Sequence, residues 1–123
     1  MTRRVERVQD LVKEEVSRLL LFKIKNQSLK TLSITRVKMT PDLKQARIYY
    51  SVFDDQADRA LIQEYLVKAS GFFRREIGRN LELRFVPEVF FEFDNSLEYA
   101  QHMDRLLTDL RRTSGEEEDD HSS

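Results

Sequence analysis

KASGFFRREIG, residues 68–78, is the stretch on which the fold turns. A helical apolar rhythm runs through Phe72, Phe73 and Ile77, yet Ser70-Gly71 interrupts it at the front and Gly78 closes it. Glycine inside a helix costs about 1 kcal/mol relative to alanine and marks a kink, a cap or a close approach. The pattern predicts a helix bent or broken over Ala69, Ser70 and Gly71, with Arg74 and Arg75 on the first turn of the second segment.

Upstream, Ala57 to about Leu81 carries this helix, with Leu61, Tyr65, Leu66, Ala69, Phe73 and Ile77 inward and Asp54-Asp55 as its N-terminal signal. Residues 3–21 repeat Val5, Val8, Val12, Val16 and Leu19 with charged residues off the stripe, an amphipathic helix. TLSITRVKMT, ended by Pro41-Asp42, and QARIYYSVF, with Ala46, Ile48, Tyr50 and Val52 on one face, read as a hairpin. Downstream, LELRFVPEVFFEFD puts Phe85, Val89, Phe91 and Phe93 on one face of a third strand, with Pro87 at an edge or bulge. Asn95 and Glu98 resemble a capping box for a last helix carrying Tyr99, Met103, Leu106 and Leu110 and ending near Arg112. The predicted domain is 1–112, an α+β two-layer fold with helices on one face of a three-stranded sheet. TSGEEEDDHSS, residues 113–123, has no apolar side chain to bury and is expected to be a disordered acidic tail.

Composition narrows the function. The 123 residues suit one domain with a real core. No apolar run approaches the roughly 18 residues that span a bilayer, and MTRRVERVQD is too polar for a signal-peptide core, so a cytosolic protein without membrane contact is expected. The absence of cysteine excludes disulfides and thiolate metal sites. The net charge of −1 conceals a division: residues 1–112 hold 21 basic against 17 acidic side chains, and residues 1–47 hold 12 against 5. A basic domain with an acidic tail suggests a polyanionic partner.

The arginines and lysines give candidate phosphate contacts in three groups. Arg3, Arg4 and Arg7 stand at the start of a helix, whose positive dipole end disfavours them, so they need another reason to be there. Arg36, Lys38, Lys44 and Arg47 lie on or near the hairpin, where charge also protects a strand edge. Arg74, Arg75, Arg79 and Arg84 form the third cluster. Phe85, Phe90, Phe91 and Phe93 have the chemistry of base-stacking platforms, but period-two spacing assigns them to the core, with Phe90 on the opposite face. His102 and His121 lack partners at metal-ligand spacing, and Walker A, G-x-S-x-G, H-E-x-x-H and G-x-G-x-x-G patterns are absent. Glu76 and Glu82 flank Gly78 without a nucleophile or histidine beside them. No catalysis, cofactor or metal is expected.

Four segments together resemble ribosome-binding factor A, a bacterial assembly factor of the small ribosomal subunit: RRVERVQDLVKEEVSRLL, ITRVKMTPDLKQARIYYSVF, KASGFFRREIGRNLELRFVPEVFFEFDNS and EYAQHMDRLL. The resemblance implies a K-homology-like domain of the second topology, α-β-β-α-kink-α-β, plus a C-terminal helix. K-homology domains clamp single-stranded nucleic acid with a G-x-x-G loop; here Ala69-Ser70-Gly71 stands in its place, the family's own Ala-x-Gly variant. The resemblance further implies a non-catalytic, monomeric factor that binds the free 30S subunit and its 16S rRNA and assists late maturation of the rRNA 5′ end. It also implies release promoted by a maturation GTPase. The alternative is a protein-interaction or homodimerisation module with no RNA role, which would bind with little salt dependence.

Overall fold

The computed structural model describes residues 2–54 and 57–122, with the side chains of 2, 97 and 113–122 outside that description. Helix α1 (Thr2–Phe22) is followed by a short 3-10 turn (Gln27–Thr31), strands β1 (Leu32–Met39) and β2 (Gln45–Val52), helix α2 (Arg59–Asn80), strand β3 (Glu88–Phe93) and helix α3 (Ser96–Ser122). The sheet order is β1-β2-β3, with β1 and β2 antiparallel and β3 parallel to β2. A parallel neighbour needs a crossover connection, and α2 provides it. Both α1 and α2 pack on the same face of the sheet, as the two-layer reading expected.

Alternation builds the core. Val37, Met39, Ala46, Ile48, Tyr50, Val89 and Phe91 face the helices and are buried, while Arg36, Lys38, Gln45, Arg47, Glu88, Phe90 and Glu92 face away and are exposed. A bulge between Ile34 and Arg36 shifts the register so that both Ile34 and Val37 reach the core. The helices contribute Val8, Val12, Val16, Leu19, Ile62, Leu66, Phe73 and Ile77. Ile62 takes the inward place expected of Leu61, which is 39% exposed.

The expected break at Ala69-Ser70-Gly71 does not divide α2, which is one helix of 22 residues. Gly71 has no positive φ, and a Cβ there would meet only the tip of Arg75, at 3.7 Å. The Ser70 hydroxyl donates to the Val67 carbonyl at 2.6 Å, a back-bond that bends helices without ending them. The close approach belongs to Gly78: a Cβ there would lie 2.7 Å from Val86 Cγ2. The two glycines therefore have opposite expected responses. Gly71→Ala should stabilise the protein by about 0.5–1 kcal/mol through the unfolded chain and helix propensity. Gly78→Ala should lose that gain to overpacking costing about 1–3 kcal/mol. Paired urea denaturation curves check the contrast in sign.

Three other boundaries differ from the sequence reading. Helix α2 starts at Arg59, capped by the Asp58 carboxylate, which accepts from the Leu61 N–H at 3.1 Å; Asp55 lies outside the described residues. The capping-box reading at α3 gives way to Asp94, whose carboxylate accepts from the Ser96 N–H at 2.9 Å, while Glu98 is drawn to Arg59 at 2.8 Å. The helix continues past Arg112 to Ser122, with no proline to stop the hydrogen-bond ladder.

Candidate nucleic-acid interface

Three pieces of chain distant in sequence meet at one end of the molecule: the first turns of α1, the β1–β2 turn, and the segment after α2. Between them lies a concavity of about 770 Å³. Its lining is apolar in large part, from Val8, Leu11, Leu43, Leu83 and Phe85, with Arg4, Arg7 and Arg84 outnumbering the carboxylates Asp42 and Glu82 among its charged residues. All three arginines are exposed. The Arg84 guanidinium lies 5.5 Å from the Phe85 ring centre, within cation–π distance.

The β1–β2 turn is built to hold its position. The Thr40 hydroxyl donates to Asp42 at 2.6 Å, and the Lys44 N–H donates to the same carboxylate oxygen at 3.1 Å. These contacts, the Thr40 hydroxyl foremost, hold the Asp42 carboxyl below its ordinary range. Leu43 adopts φ 61°, a left-handed conformation unusual for a residue with a Cβ, and its side chain packs against the core and lines the concavity. A second internal tie joins α1 to α2. Buried Glu15 accepts from Arg18 and from the Asn80 amide, the latter at 2.9 Å, and the Arg18 hydrogen bond is the main influence lowering its pKa. Asn80 is thereby fixed at the edge of the concavity.

The other candidates lie elsewhere. Arg3 is exposed at the start of α1, and Lys44 is exposed beside the turn. Arg74 reaches the Val86 carbonyl at 3.4 Å, Arg75 lies against Gly71, and Arg79 pairs with Glu76 at 3.6 Å. Of the third sequence cluster, only Arg84 lines the groove. Arg36, Lys38 and Arg47 are on the open sheet face, away from the helices. There Arg36 lies 4.1 Å from the Tyr49 ring centre and 3.7 Å from Asp94, and Arg47 lies 3.6 Å from Glu92. Ala69 and Ser70 are half-buried and Gly71 is exposed on α2. The core assignment holds for Phe91, with Phe93 half-buried against the core; Phe90, 45% exposed, lies on the opposite face as expected, and Phe85, 55% exposed, departs from its expected place. Pro87 delays β3 to Glu88, so Phe85 precedes the strand alternation and falls on the groove instead.

Among the described residues there is no cluster of three His, Cys, Asp or Glu side chains fit to hold a metal, and no helix is long and apolar enough to cross a membrane. The most perturbed carboxylate is structural. Asp94 accepts from the Ser96 hydroxyl, the Thr35 hydroxyl and the Ser96 N–H, which hold its pKa at about 2, with Arg36 adding to the effect. Its folded pKa lies below the unfolded value of 3.8, so the stabilisation is complete above about pH 4 and is lost as pH falls through 2. Solvent screening reduces it to about 1–2 kcal/mol. Urea denaturation of wild type and Asp94→Asn should differ by that amount at pH 6 and converge near pH 2.

The sequence matches the family model described as ribosome-binding factor A over residues 4–107. It is 42% identical over 121 residues to ribosome-binding factor A of Dictyoglomus thermophilum, covering 98% of each chain. The chain belongs to the ribosome-binding factor A family. The crystal structure of ribosome-binding factor A from Thermus thermophilus shares the fold, with a TM-score of 0.64 at 15% identity over 72% of this chain and 93% of that one. A Thermus thermophilus ribosome-binding factor A model fitted into a cryo-EM map of a 30S complex aligns with a TM-score of 0.60, also at 15% identity, over 71% and 91%. The arginine-walled groove lies within the part of the chain that matches the ribosome-binding factor A family.

Proposed function

We propose that this protein is a non-catalytic assembly factor that binds the free 30S subunit through its 16S rRNA and assists late maturation of the rRNA 5′ end. The observation that carries the reading is the convergence of Arg4, Arg7 and Arg84 on one groove from separate parts of the chain. Arg4 stands in the first turn of α1, where the helix dipole disfavours a cation. Membership of the family, and the 30S complex formed by the Thermus relative, support the choice of partner. The factor works by binding one rRNA conformation more tightly than its competitors, which needs differential affinity and no chemistry. It acts in the cytoplasm as a monomer, and a maturation GTPase promotes its release.

Co-sedimentation with free small subunits, large subunits and assembled ribosomes across a salt series tests this. The assembly-factor reading predicts selective binding to free small subunits, and three phosphate contacts predict a log–log salt slope steeper than about −2. A flat salt response, or equal binding to large subunits, would overturn the reading. We place the end of the folded domain at residue 112, within α3: a chain truncated there should keep its melting temperature within about 2–4 °C, the range of a surface change.

One observation favours a second reading. Tyr99 and Leu110 are each 64% exposed on α3, with Met103 and Leu106 on the same stripe. An apolar helix face of this kind suits protein contact, and sedimentation equilibrium distinguishes self-association from the monomer.

A further inference from the structure

We propose that the open face of the sheet is a second RNA subsite, a stacking platform for one unpaired base built on Phe90; it rests on the RNA-binding reading above. The side chains that alternate outward on this face are Arg36, Lys38, Gln45, Arg47, Tyr49, Glu88 and Glu92, polar or amphipathic, and Phe90 stands among them, 45% exposed. Lys38, Arg47 and Phe90 lie side by side across the three strands, because Lys38 pairs with Arg47 and Arg47 with Phe90. An aromatic face beside two cations is the composition that binds single-stranded nucleic acid: the ring takes a base and the cations take the flanking phosphates.

The local shape suits one base. A concavity of about 220 Å³ is lined by Lys38, Thr40, Gln45, Arg47 and Phe90, below the size of sites that enclose drug-like ligands and without an acidic residue on its wall. Gln45 offers both a donor and an acceptor to a base edge. Lys38 has no ion pair among the described residues, so it is available to a phosphate, whereas Arg47 must leave Glu92. Pro41 lines both this concavity and the arginine groove. The two concavities adjoin at the β1–β2 turn, so an RNA strand occupying both would round that turn beside Asp42.

The test uses the full chain and free small subunits. Phe90→Ala should weaken binding by about 5- to 150-fold, the cost of one lost base stack, with the salt slope unchanged. Phe90→Tyr should restore affinity, and Lys38→Gln should reduce the slope by about 0.7. Ultraviolet cross-linking of the complex should leave a nucleotide adduct on the peptide containing Phe90. Because Phe90 is exposed, its replacement should leave the melting curve near that of wild type. Wild-type affinity in Phe90→Ala would overturn the platform while leaving the arginine groove standing. So would weakened binding with the peptide cross-linked only to ribosomal protein, which would make this face a protein contact. Salt-independent binding by the wild type would remove both the platform and the RNA reading on which it rests.

Discussion

Reversing Arg4, Arg7 and Arg84 to glutamate together is expected to weaken binding to free small subunits by about 100-fold or more. Each reversal removes a charged contact worth about 1.5–3 kcal/mol when fully formed and adds repulsion from the same phosphate. Stability should change little by comparison. Glutamate at position 4, in the first turn of α1, gains about 0.3–1 kcal/mol from the helix dipole, which offsets the lost Arg84–Phe85 cation–π contact of about 0.5–1 kcal/mol. That disparity separates a binding surface from a folding defect. A charge-matched control reverses Arg105, Arg111 and Arg112, all exposed on α3 and away from the groove. It should change affinity little once salt is raised to screen long-range attraction. Equal losses in both triple variants would reduce the groove to one more patch of general positive charge.

Phe73→Ala should have the largest effect on stability, about 3–5 kcal/mol, with a fall in melting temperature of more than about 12 °C. Phe73 is fully buried, 5.0 Å from the Phe91 ring centre and 5.7 Å from that of Phe72. It is the point where α2 presses on β3, and the space left by its removal is walled by a strand and a helix that cannot easily collapse. Phe72, only half-buried, should lose much less on the same replacement. Urea midpoints at unchanged denaturant slope would report the difference as folded-state stability. Similar losses at both positions would mean that the packing of helix on sheet is looser here than the ring contacts indicate.

Which parts of this are legible in the sequence follows from the range of the forces involved. The amphipathic period of α1 and the alternation of β1 and β2 are local patterns, and Val12, Val16, Ala46 and Ile48 are buried where those patterns put them. The glycines show where local signals stop. Sequence spacing marks Gly71 and Gly78 alike, but only tertiary packing reveals that Val86 presses on Gly78 and nothing in the core presses on Gly71. Phe85 departs from its expected place for a related reason: period-two alternation extends back across Pro87 in the sequence, whereas the strand itself has not begun there. Arg4, Arg7 and Arg84 are visible as candidates, whereas their meeting in one groove depends on a contact between residues about eighty apart in the chain. Glu15 gives only a weak signal: it lies seven residues after Val8, at the edge of the apolar stripe of α1, where its partner Asn80 comes from a distant part of the chain.

The parallel seating of β3 beside β2 also sets the order in which the chain can assemble as it emerges from the ribosome. The antiparallel pair β1 and β2 closes over a turn of a few residues and forms on the microsecond scale once residue 52 is free. Until residues 59–93 have been made, β2 has an open edge, and the apolar face carrying Ala46, Ile48 and Tyr50 waits for half of its cover. Synthesis at about 5–20 residues per second makes that wait a matter of seconds, far longer than the hairpin needs. Lys44 and Arg47, charged side chains near and on that waiting edge, are placed to guard a nascent chain against pairing with its neighbours before β3 arrives.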